Sequence, residues 1–301
     1  MIGMVALAKT ELTAAERNAT RTRLTATLVS AGGHTESEAE RLASFLVPES
    51  NRPSDVVWRV VDDSQSLGWI WTRGTVEGHA SVVALNVPCE VVGDVVDALR
   101  RRGATSGVTS LDYVVSRGDD LAAELHASLM GDLTSVQMTV EVGRVPPPAS
   151  VGLRPMDEVR FGRFLEASIE GHAADLYASR TVPDLDTARA ESRRQTEQLL
   201  EQGVNTPGHL LWSAFHDKDE VGVLWVQRRE HRDFIYRIEV DPFHLRRGYG
   251  REILRAGAEQ ARQMGLEWLS LNVFGNNLGA QALYQQEDYV PTQQSFTCLM
   301  R

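Results

Sequence analysis

Two segments of this chain, far apart in the sequence, share residues at the same spacing. GDDLAAEL at residues 118–125 matches GNNLGAQA at residues 275–282 in one glycine, one leucine and one alanine. Each segment joins a predicted strand to a predicted helix. Upstream, Val87 ends a predicted strand as Val240 does, and the first half is shorter around the loop that follows. We interpret the halves as a tandem duplication whose first copy has lost a loop; a chance match between short strand–helix segments is the alternative.

Three consecutive prolines in GRVPPPASVG, residues 143–152, separate the two halves. Proline disfavours helix and is excluded from central strands, so this segment is predicted to be a short, stiff linker. A chain of 301 residues is long enough for about two domains. The sequence therefore predicts one domain over 1–145 and a second over 151–301.

The second half is predicted to follow the order β-α-α-β-β-β-α-β-α-β, and the first half a related one. Apolar residues recur at helical spacing in two of its helices. The first helix, residues 157–171, carries Phe161, Phe164, Leu165 and Ile169. The helix after the glycine-rich loop carries Ile253, Leu254, Ala258, Ala261 and Met264. The fold class expected is α/β (α+β), with mixed, mostly antiparallel sheets flanked by helices.

Composition excludes several classes of partner. The net charge of −10 argues against general nucleic-acid binding, which needs a basic face. No run of about 18 apolar residues is present, so no membrane span is expected. Cys89 and Cys298 are too few for a disulfide framework or a thiolate metal site, and no metal is expected. Reduced thiols are typical of a cytoplasmic protein.

The stretch DPFHLRRGYGREIL, residues 241–254, carries the clearest chemical signal. Its two glycines allow backbone amides to approach a ligand, and they lie where a helix begins, a place that favours anions. The flanking arginines supply donors for phosphate oxygens. The alternative is a tight turn with solvated arginines. The residues concerned are Arg246, Arg247, Gly248, Tyr249, Gly250 and Arg251.

With a second motif downstream, the sequence from 151 to 301 resembles the GNAT (Gcn5-related N-acetyltransferase) superfamily. The second motif is the pattern N-x-x-A-x-x-L-Y, which reads here as Asn277, Ala280, Leu283 and Tyr284. The resemblance implies two GNAT-like domains. In the second, the parallel strands at 233–240 and 266–273 splay apart. The first domain lacks the motifs and is expected to be degenerate and non-catalytic.

The resemblance also implies the chemistry. Acetyl-CoA, or another acyl-CoA, would bind with its pyrophosphate on the amides of 246–251 and its pantetheine arm beside Ile238 and Val240. Tyr284 would be the general acid and would lie near the cofactor with Asn277. The general base is open. Glu239 is one candidate, a water chain is another, and five residues of the region between the first two helices are further ones: Glu166, Glu170, His172, Asp175 and Tyr177.

The function expected is therefore acyl-CoA-dependent N-acetylation of an amine, in a small molecule or a peptide, by a monomer or homodimer. The alternative is a non-catalytic acyl-CoA-binding or regulatory module. Two departures from the family pattern favour that alternative. Leu245 stands where the family loop has Gln or Arg, and Asp288 stands where a glycine precedes an aromatic residue.

Overall fold

The structure, a computed structural model, describes residues 5–63, 65–74, 78–178 and 182–300. Contacts divide the chain into two compact units. The first contains Met1–Val136 and Thr292–Arg301, and the second contains Gln137–Pro291. These units differ from the domains predicted at the prolines, because the strand before the linker contributes to the second unit and the last strand of the chain to the first.

The described residues of the first half form four α-helices and six strands, with one strand, β1, that the sequence did not predict. In chain order they are β1 (Ala6–Thr10), α1 (Ala14–Ala31), α2 (Glu36–Leu46), β2 (Asp55–Asp62), β3 (Gln65–Gly74), β4 (His79–Asn86), α3 (Val92–Ser106), β5 (Ser110–Ser116), α4 (Asp120–Leu129) and β6 (Asp132–Glu141).

The second half repeats this order. Its elements are β7 (Val151–Pro155), α5 (Glu158–Ala178), α6 (Leu185–Leu199), β8 (His209–His216), β9 (Asp219–Arg228), β10 (Arg232–Val240), α7 (Tyr249–Gln263), β11 (Trp268–Phe274), α8 (Leu278–Gln286) and β12 (Val290–Leu299). The predicted mixture of strands and helices is confirmed.

Each unit builds its sheet in the same way. The strand order in the first unit is β1-β2-β3-β4-β5-β12, and in the second it is β7-β8-β9-β10-β11-β6. The pairs β4–β5 and β10–β11 are parallel, whereas β1–β2, β2–β3, β3–β4 and β5–β12 in the first unit and β7–β8, β8–β9 and β9–β10 in the second are antiparallel. The sixth strand of each unit thus comes from the other half of the chain.

Helix α7 packs the predicted apolar face into the second unit. Ile253, Leu254, Ala258 and Ala261 are buried. The prediction for Met264 is wrong, since its side chain is 61% exposed. The helix ends at Gln263, and Gly265 follows with a left-handed φ of 74°, so the chain turns away before residue 264 can continue the buried face.

Helix α5 is longer than predicted and extends to Ala178. Phe164 and Ile169 are buried as expected, and Phe161 and Leu165 are partly buried. Gly171 does not end the helix. A Cβ there would lie 2.3 Å from the Arg237 guanidinium, so glycine serves close packing at this position. The extra turns place residues 172–178 on a helix.

No helix within the described ranges is long and apolar enough to cross a membrane. Among the same residues, no group of three or more His, Cys, Asp or Glu side chains is arranged to hold a metal ion.

Candidate functional site

The central strands of the second unit separate, as predicted. Strands β10 and β11 pair in parallel from Arg232–Trp268 to Ile235–Leu271, and their pairing ends there. On its other side, β10 continues to pair with β9 past a bulge at Tyr236. The bulge increases the local twist and turns the second half of β10 away from β11. Residues 236–240 therefore form an open strand edge.

The backbone groups of Ile238 and Val240 face this open edge. The Asp241 N–H donates to the Val221 carbonyl at 2.9 Å, which directs residue 241 toward β9. Successive residues of an antiparallel pair direct their N–H and C=O groups to opposite sides. Residue 239 thus faces β9, while 238 and 240 face the side that β11 has left. These are the two positions that the sequence predicted for the pantetheine arm.

A cavity of about 360 Å³ lies between the separated strands. Its walls come from α5, α6, β9, β10, β11 and α8. Ile238, Glu239, Asn277 and Tyr284, which were all predicted as site residues, line it. The fold therefore brings together predicted residues from strand β10 and from helix α8 with its cap, which are far apart in the sequence.

The N-terminus of α7 carries backbone donors that the protein leaves unused. Gly248 caps the helix in the left-handed region, at φ 85°, a conformation that favours glycine. The N–H groups of Gly248, Tyr249 and Gly250 have no acceptor within the described part of the chain. Because the helix dipole adds positive potential at the same place, these N–H groups are suited to binding an anion.

The three arginines of the loop differ in their surroundings. Arg246, at φ 61°, and Arg247 are exposed, and neither forms an ion pair with a described residue. Arg251 is paired instead with Glu287, which is buried, at 2.6 Å, and it donates to the Gln286 side chain at 2.6 Å. Its guanidinium is thus engaged with the end of α8, and only the first two arginines are free for a phosphate.

Tyr284 lines the cavity with only 7% of its surface exposed, and this burial raises its pKa to about 12. Its hydroxyl therefore keeps its proton at neutral pH. Asn277 caps helix α8: its Oδ1 accepts the Ala280 N–H at 3.1 Å, as expected for an asparagine at this position. The cap leaves the side-chain amide nitrogen of Asn277 available to a ligand.

Glu239, the first candidate for the base, is ion-paired. Arg237 approaches its Oε2 with Nε at 2.9 Å and Nη2 at 2.8 Å. The same guanidinium lies over Gly171 of α5, where no side chain obstructs it. The Glu239 carboxylate is therefore held at the cavity wall by a fixed cation.

The other candidates divide into two groups. Glu166 pairs with Arg193 at 3.0 Å and Glu170 with Arg189 at 3.1 Å, both on the exposed side of the α5–α6 pair. Tyr177 is 51% exposed and does not line the cavity.

His172 and Asp175 do line the cavity. Burial raises the pKa of Asp175, and Arg237 and His172 oppose that rise. The lining residues that the sequence reasoning missed include Ser168, Gln195 and Arg237. Of these, only Ser168 had a signal, since it lies one helical turn before His172.

The first unit contains a copy of the same cleft. Strands β4 and β5 pair only from His79–Ser110 to Ser81–Asp112, and β4 is bulged at Val83. The separation along the sequence between Val83 and Tyr236 equals that between Val87 and Val240, so the two bulges occupy equivalent positions. A cavity of about 370 Å³ lies between these strands.

The two clefts differ in the residues that lie beside the open strand edge. Arg23 of α1 donates from Nη2 to the carbonyl of Leu85, the counterpart of Ile238. Ala127 stands where Tyr284 stands in the second unit. Helix α3 begins at Val92 with no glycine cap and no side-chain cap. The first unit has kept the fold of the cleft, and its own arginine contacts the strand edge there.

Comparisons with known proteins agree with this geometry. The model of the acetyltransferase (GNAT) family matches residues 174–288. An uncharacterized N-acetyltransferase of Bacillus subtilis (strain 168), YycN, is 32% identical over 148 residues, which are 48% of this chain and 94% of that protein. The chain belongs to the GNAT family. The resemblance inferred from the two motifs is thereby confirmed.

Solved GNAT structures extend the similarity to the first unit. A GCN5-related N-acetyltransferase from Sphaerobacter thermophilus matches with a TM-score of 0.59 and 14% identity, over 98% of this chain and 96% of that one. A tandem GNAT protein from the clavulanic acid biosynthesis pathway matches with a TM-score of 0.50 and 13% identity, over 99% of both chains. At such low identity these two matches establish the fold alone.

Proposed function

We propose that this protein is an N-acyltransferase that takes an acyl group, acetyl by expectation, from acyl-CoA and transfers it to an amine. One observation carries the proposal: unpartnered amides at a glycine-capped helix start lie at the end of a strand whose backbone edge is open. These are the two features that a pyrophosphate and a pantetheine arm need. GNAT proteins use acyl-CoA and act on amines, and the relatives are named N-acetyltransferases.

The loop and the open strand edge offer contacts for both parts of such a ligand. The amides of Gly248, Tyr249 and Gly250 would hold the pyrophosphate, and Arg246 and Arg247 would add charge-assisted contacts. Arg246 would supply the cation that Leu245 does not.

The open edge at Ile238 and Val240 would pair with the pantetheine amides, and the free amide nitrogen of Asn277 would contact the ligand nearby. When bound, acyl-CoA supplies the activated acyl group as a thioester. A backbone N–H near Val240 would stabilise negative charge on the thioester oxygen.

Tyr284 would serve as the general acid. A phenol whose pKa is raised to about 12 by burial retains its proton and can give it to a leaving thiolate. The buried surroundings of the hydroxyl also limit competition from water. Glu239, the first candidate for the base, lines the same cavity, and its ion pair with Arg237 fixes its position there.

The first unit would be a non-catalytic GNAT-like copy. It lacks the counterpart of Tyr284 and the glycine-capped helix, and Arg23 satisfies the edge carbonyl at Leu85. We also propose a cytoplasmic protein that works as a monomer or homodimer. Its two cysteines, Cys89 and Cys298, are both free, which suits a reducing compartment.

The second candidate function is a non-catalytic acyl-CoA-binding module. The observation that favours it is the engagement of Glu239 by Arg237, which leaves the first candidate base without a free carboxylate. A module of this kind would bind acyl-CoA and would not release CoA with any amine.

The test is a calorimetric titration with acetyl-CoA, followed by detection of free CoA thiol with a panel of polyamines, aminoglycosides, amino acids and lysine-containing peptides. Binding together with amine-dependent thiol release supports the enzyme. Binding without release from any member of the panel supports the binding module. The absence of binding refutes both.

A further inference from the structure

His172 is part of a hydrogen-bonded chain that determines which of its nitrogens carries the proton. Gln195 donates from Nε2 to Glu191 Oε1 at 2.5 Å, so its carbonyl oxygen, Oε1, faces His172. The His172 Nε2 lies 3.1 Å from that oxygen. Since an amide oxygen only accepts, the imidazole must donate from Nε2. In the neutral ring, Nδ1 is then the basic nitrogen.

Glu191 makes this chain rigid. Hydrogen bonds from Arg194, and next from Gln195, lower the pKa of Glu191 to about 2, so the carboxylate is ionised at neutral pH. Arg194 reaches both carboxylate oxygens, at 2.5 and 2.9 Å. A base oriented by a second group, which is itself oriented by a third, is an arrangement typical of general-base catalysis.

His172 stands at the wall of the same cavity as Tyr284. Its ring centre lies 6.3 Å from that of Phe274 at the end of β11. Nδ1 has no hydrogen-bond partner in the described residues. By contrast, Glu239 on the facing strand is occupied by Arg237.

Ser168 gives an independent sign that a polar ligand atom belongs here. It is only 3% exposed, lines the cavity, and its Oγ makes no hydrogen bond to a described residue. Nearby buried hydroxyls behave differently: Ser192 donates to the Ile169 carbonyl and Thr196 to the Ser192 carbonyl, both at 2.8 Å. A buried hydroxyl without a partner is unfavourable, and a bound ligand would supply the missing hydrogen bond.

Ser168, His172 and Asp175 share one face of α5, because residues three and four apart lie above one another on a helix. We propose that His172 is the general base of the reaction, and that Ser168 and Asp175 bind the acceptor as a primary ammonium group. This rests on the proposed acyl transfer and assigns its proton acceptor and its acceptor site.

The ammonium loses one proton to Nδ1 of His172, which later releases it to solvent. The amine nitrogen then forms the bond to the acyl carbon as the C–S bond of the thioester breaks. Tyr284 gives its proton to the sulfur and recovers one from the nitrogen, so the products are an amide and CoA thiol.

The groups that face His172 make its environment acidic overall. Asp175 lies on its own helix, and Glu191 reaches it through Gln195 from α6. Arg237 and Glu239 face it from β10 as an ion pair, and Tyr284 from α8 is neutral. Because Arg237 supplies one positive charge beside the two carboxylates of Glu239 and Asp175, one negative charge remains, which suits a cationic acceptor.

The first test needs no substrate. Long-range ¹H–¹⁵N spectra of the full chain should show His172 as the Nε2–H tautomer at alkaline pH. Gln195→Leu should convert it to a mixture, whereas Gln195→Glu should preserve the Nε2–H form. A wild-type ring protonated on Nδ1 would overturn the assignment.

The second test is kinetic, with the amine that turns over fastest in the panel. His172→Gln should lower kcat by about 10²–10⁴-fold, leave acetyl-CoA affinity unchanged and be partly rescued by added imidazole. Ser168→Ala should mainly raise the KM of the amine. His231→Ala, at a partly exposed histidine that does not line the cavity, is the matched control.

Retention of kcat in His172→Gln, or a loss seen equally in His231→Ala, would overturn the proposal. If the wild type turns over no amine, the proposed function fails, while the tautomer measurement still decides the orientation of His172.

Discussion

Replacing Tyr284 with phenylalanine isolates the role of one oxygen atom. The ring is packed in the second unit, 5.8 Å from the ring of Tyr289, and phenylalanine preserves this contact. No described residue bonds to the Tyr284 hydroxyl, so its removal should change the free energy of unfolding by less than about 1 kcal/mol. Any large loss of turnover must then come from the missing proton donor.

The expected size of that loss follows from the buried position of the phenol. With a pKa of about 12, the hydroxyl is ionised in only about one molecule in 10⁴ at about pH 8. It is therefore a proton donor across the whole physiological range. Loss of a positioned general acid typically lowers the rate about 10²–10⁴-fold, and Tyr284→Phe should lower kcat by that factor.

The assay compares acetyl-CoA affinity by calorimetry with thiol release in the wild type, in Tyr284→Phe and in Tyr177→Phe. Tyr177 is an exposed tyrosine on α5 and serves as the control. Affinity should be equal in all three, and only the Tyr284 variant should lose turnover. The wild-type rate should show no fall attributable to the phenol up to about pH 10. A kcat reduced less than about tenfold, or an alkaline fall near pH 10 that vanishes in the variant, would refute the reasoning.

Three further predictions concern the backbone around the two clefts. Gly222→Ala should lower the free energy of unfolding by about 1–3 kcal/mol and weaken acetyl-CoA binding, because a Cβ would lie 2.2 Å from the Glu239 carbonyl oxygen. The measurement is the melting temperature, which should fall; an unchanged thermal melt would contradict the prediction. Asp288→Gly should raise the free energy of unfolding by about 1 kcal/mol, measured as a higher urea midpoint, since residue 288 has φ 62°; a lower midpoint would contradict it. Arg23→Met should destabilise the protein by about 1–3 kcal/mol by removing the donor to Leu85, as chemical unfolding can measure, and an equal or higher stability would contradict the contact.

The sequence predicted the parts of the site that depend on local patterns. Gly248 and Gly250 mark a helix start, and Asn277 marks another, because both positions are set by backbone geometry within a few residues. The sequence also showed that Asp288 stands where the family has glycine. The structure gives the reason for the family's glycine, since residue 288 adopts the left-handed conformation at φ 62°. The splayed strands followed from the resemblance.

What the sequence did not predict depends on contacts between distant residues. Arg251 was expected at the phosphate, yet Glu287, far along the chain, holds it at 2.6 Å. Gly171 looked like the end of a helix, but it leaves space for Arg237 of β10. The hydrogen bonds that link Gln195 to both Glu191 and His172 depend on how α5 and α6 pack.

The pairing of β12 with β5 was also beyond local reasoning. A proline-rich linker suggests where a chain divides, but it does not determine which strand completes which sheet. The repeat between the halves was nevertheless informative, because the bulges at Val83 and Tyr236 fall at the same offset as the valines that end the two strands.

A calorimetric titration of the full chain with acetyl-CoA, repeated on Gly250→Asp, tests the central claim most directly. Gly250→Ala is the control for folding, since a Cβ there meets only flexible side-chain atoms, at 3.4 Å from Leu283 and 3.6 Å from Val240. We predict one acetyl-CoA per chain in the wild type, binding in the alanine variant, and no binding in the aspartate variant, where a carboxylate would repel the pyrophosphate. Undiminished affinity in Gly250→Asp, or two acetyl-CoA molecules per chain, would contradict the account.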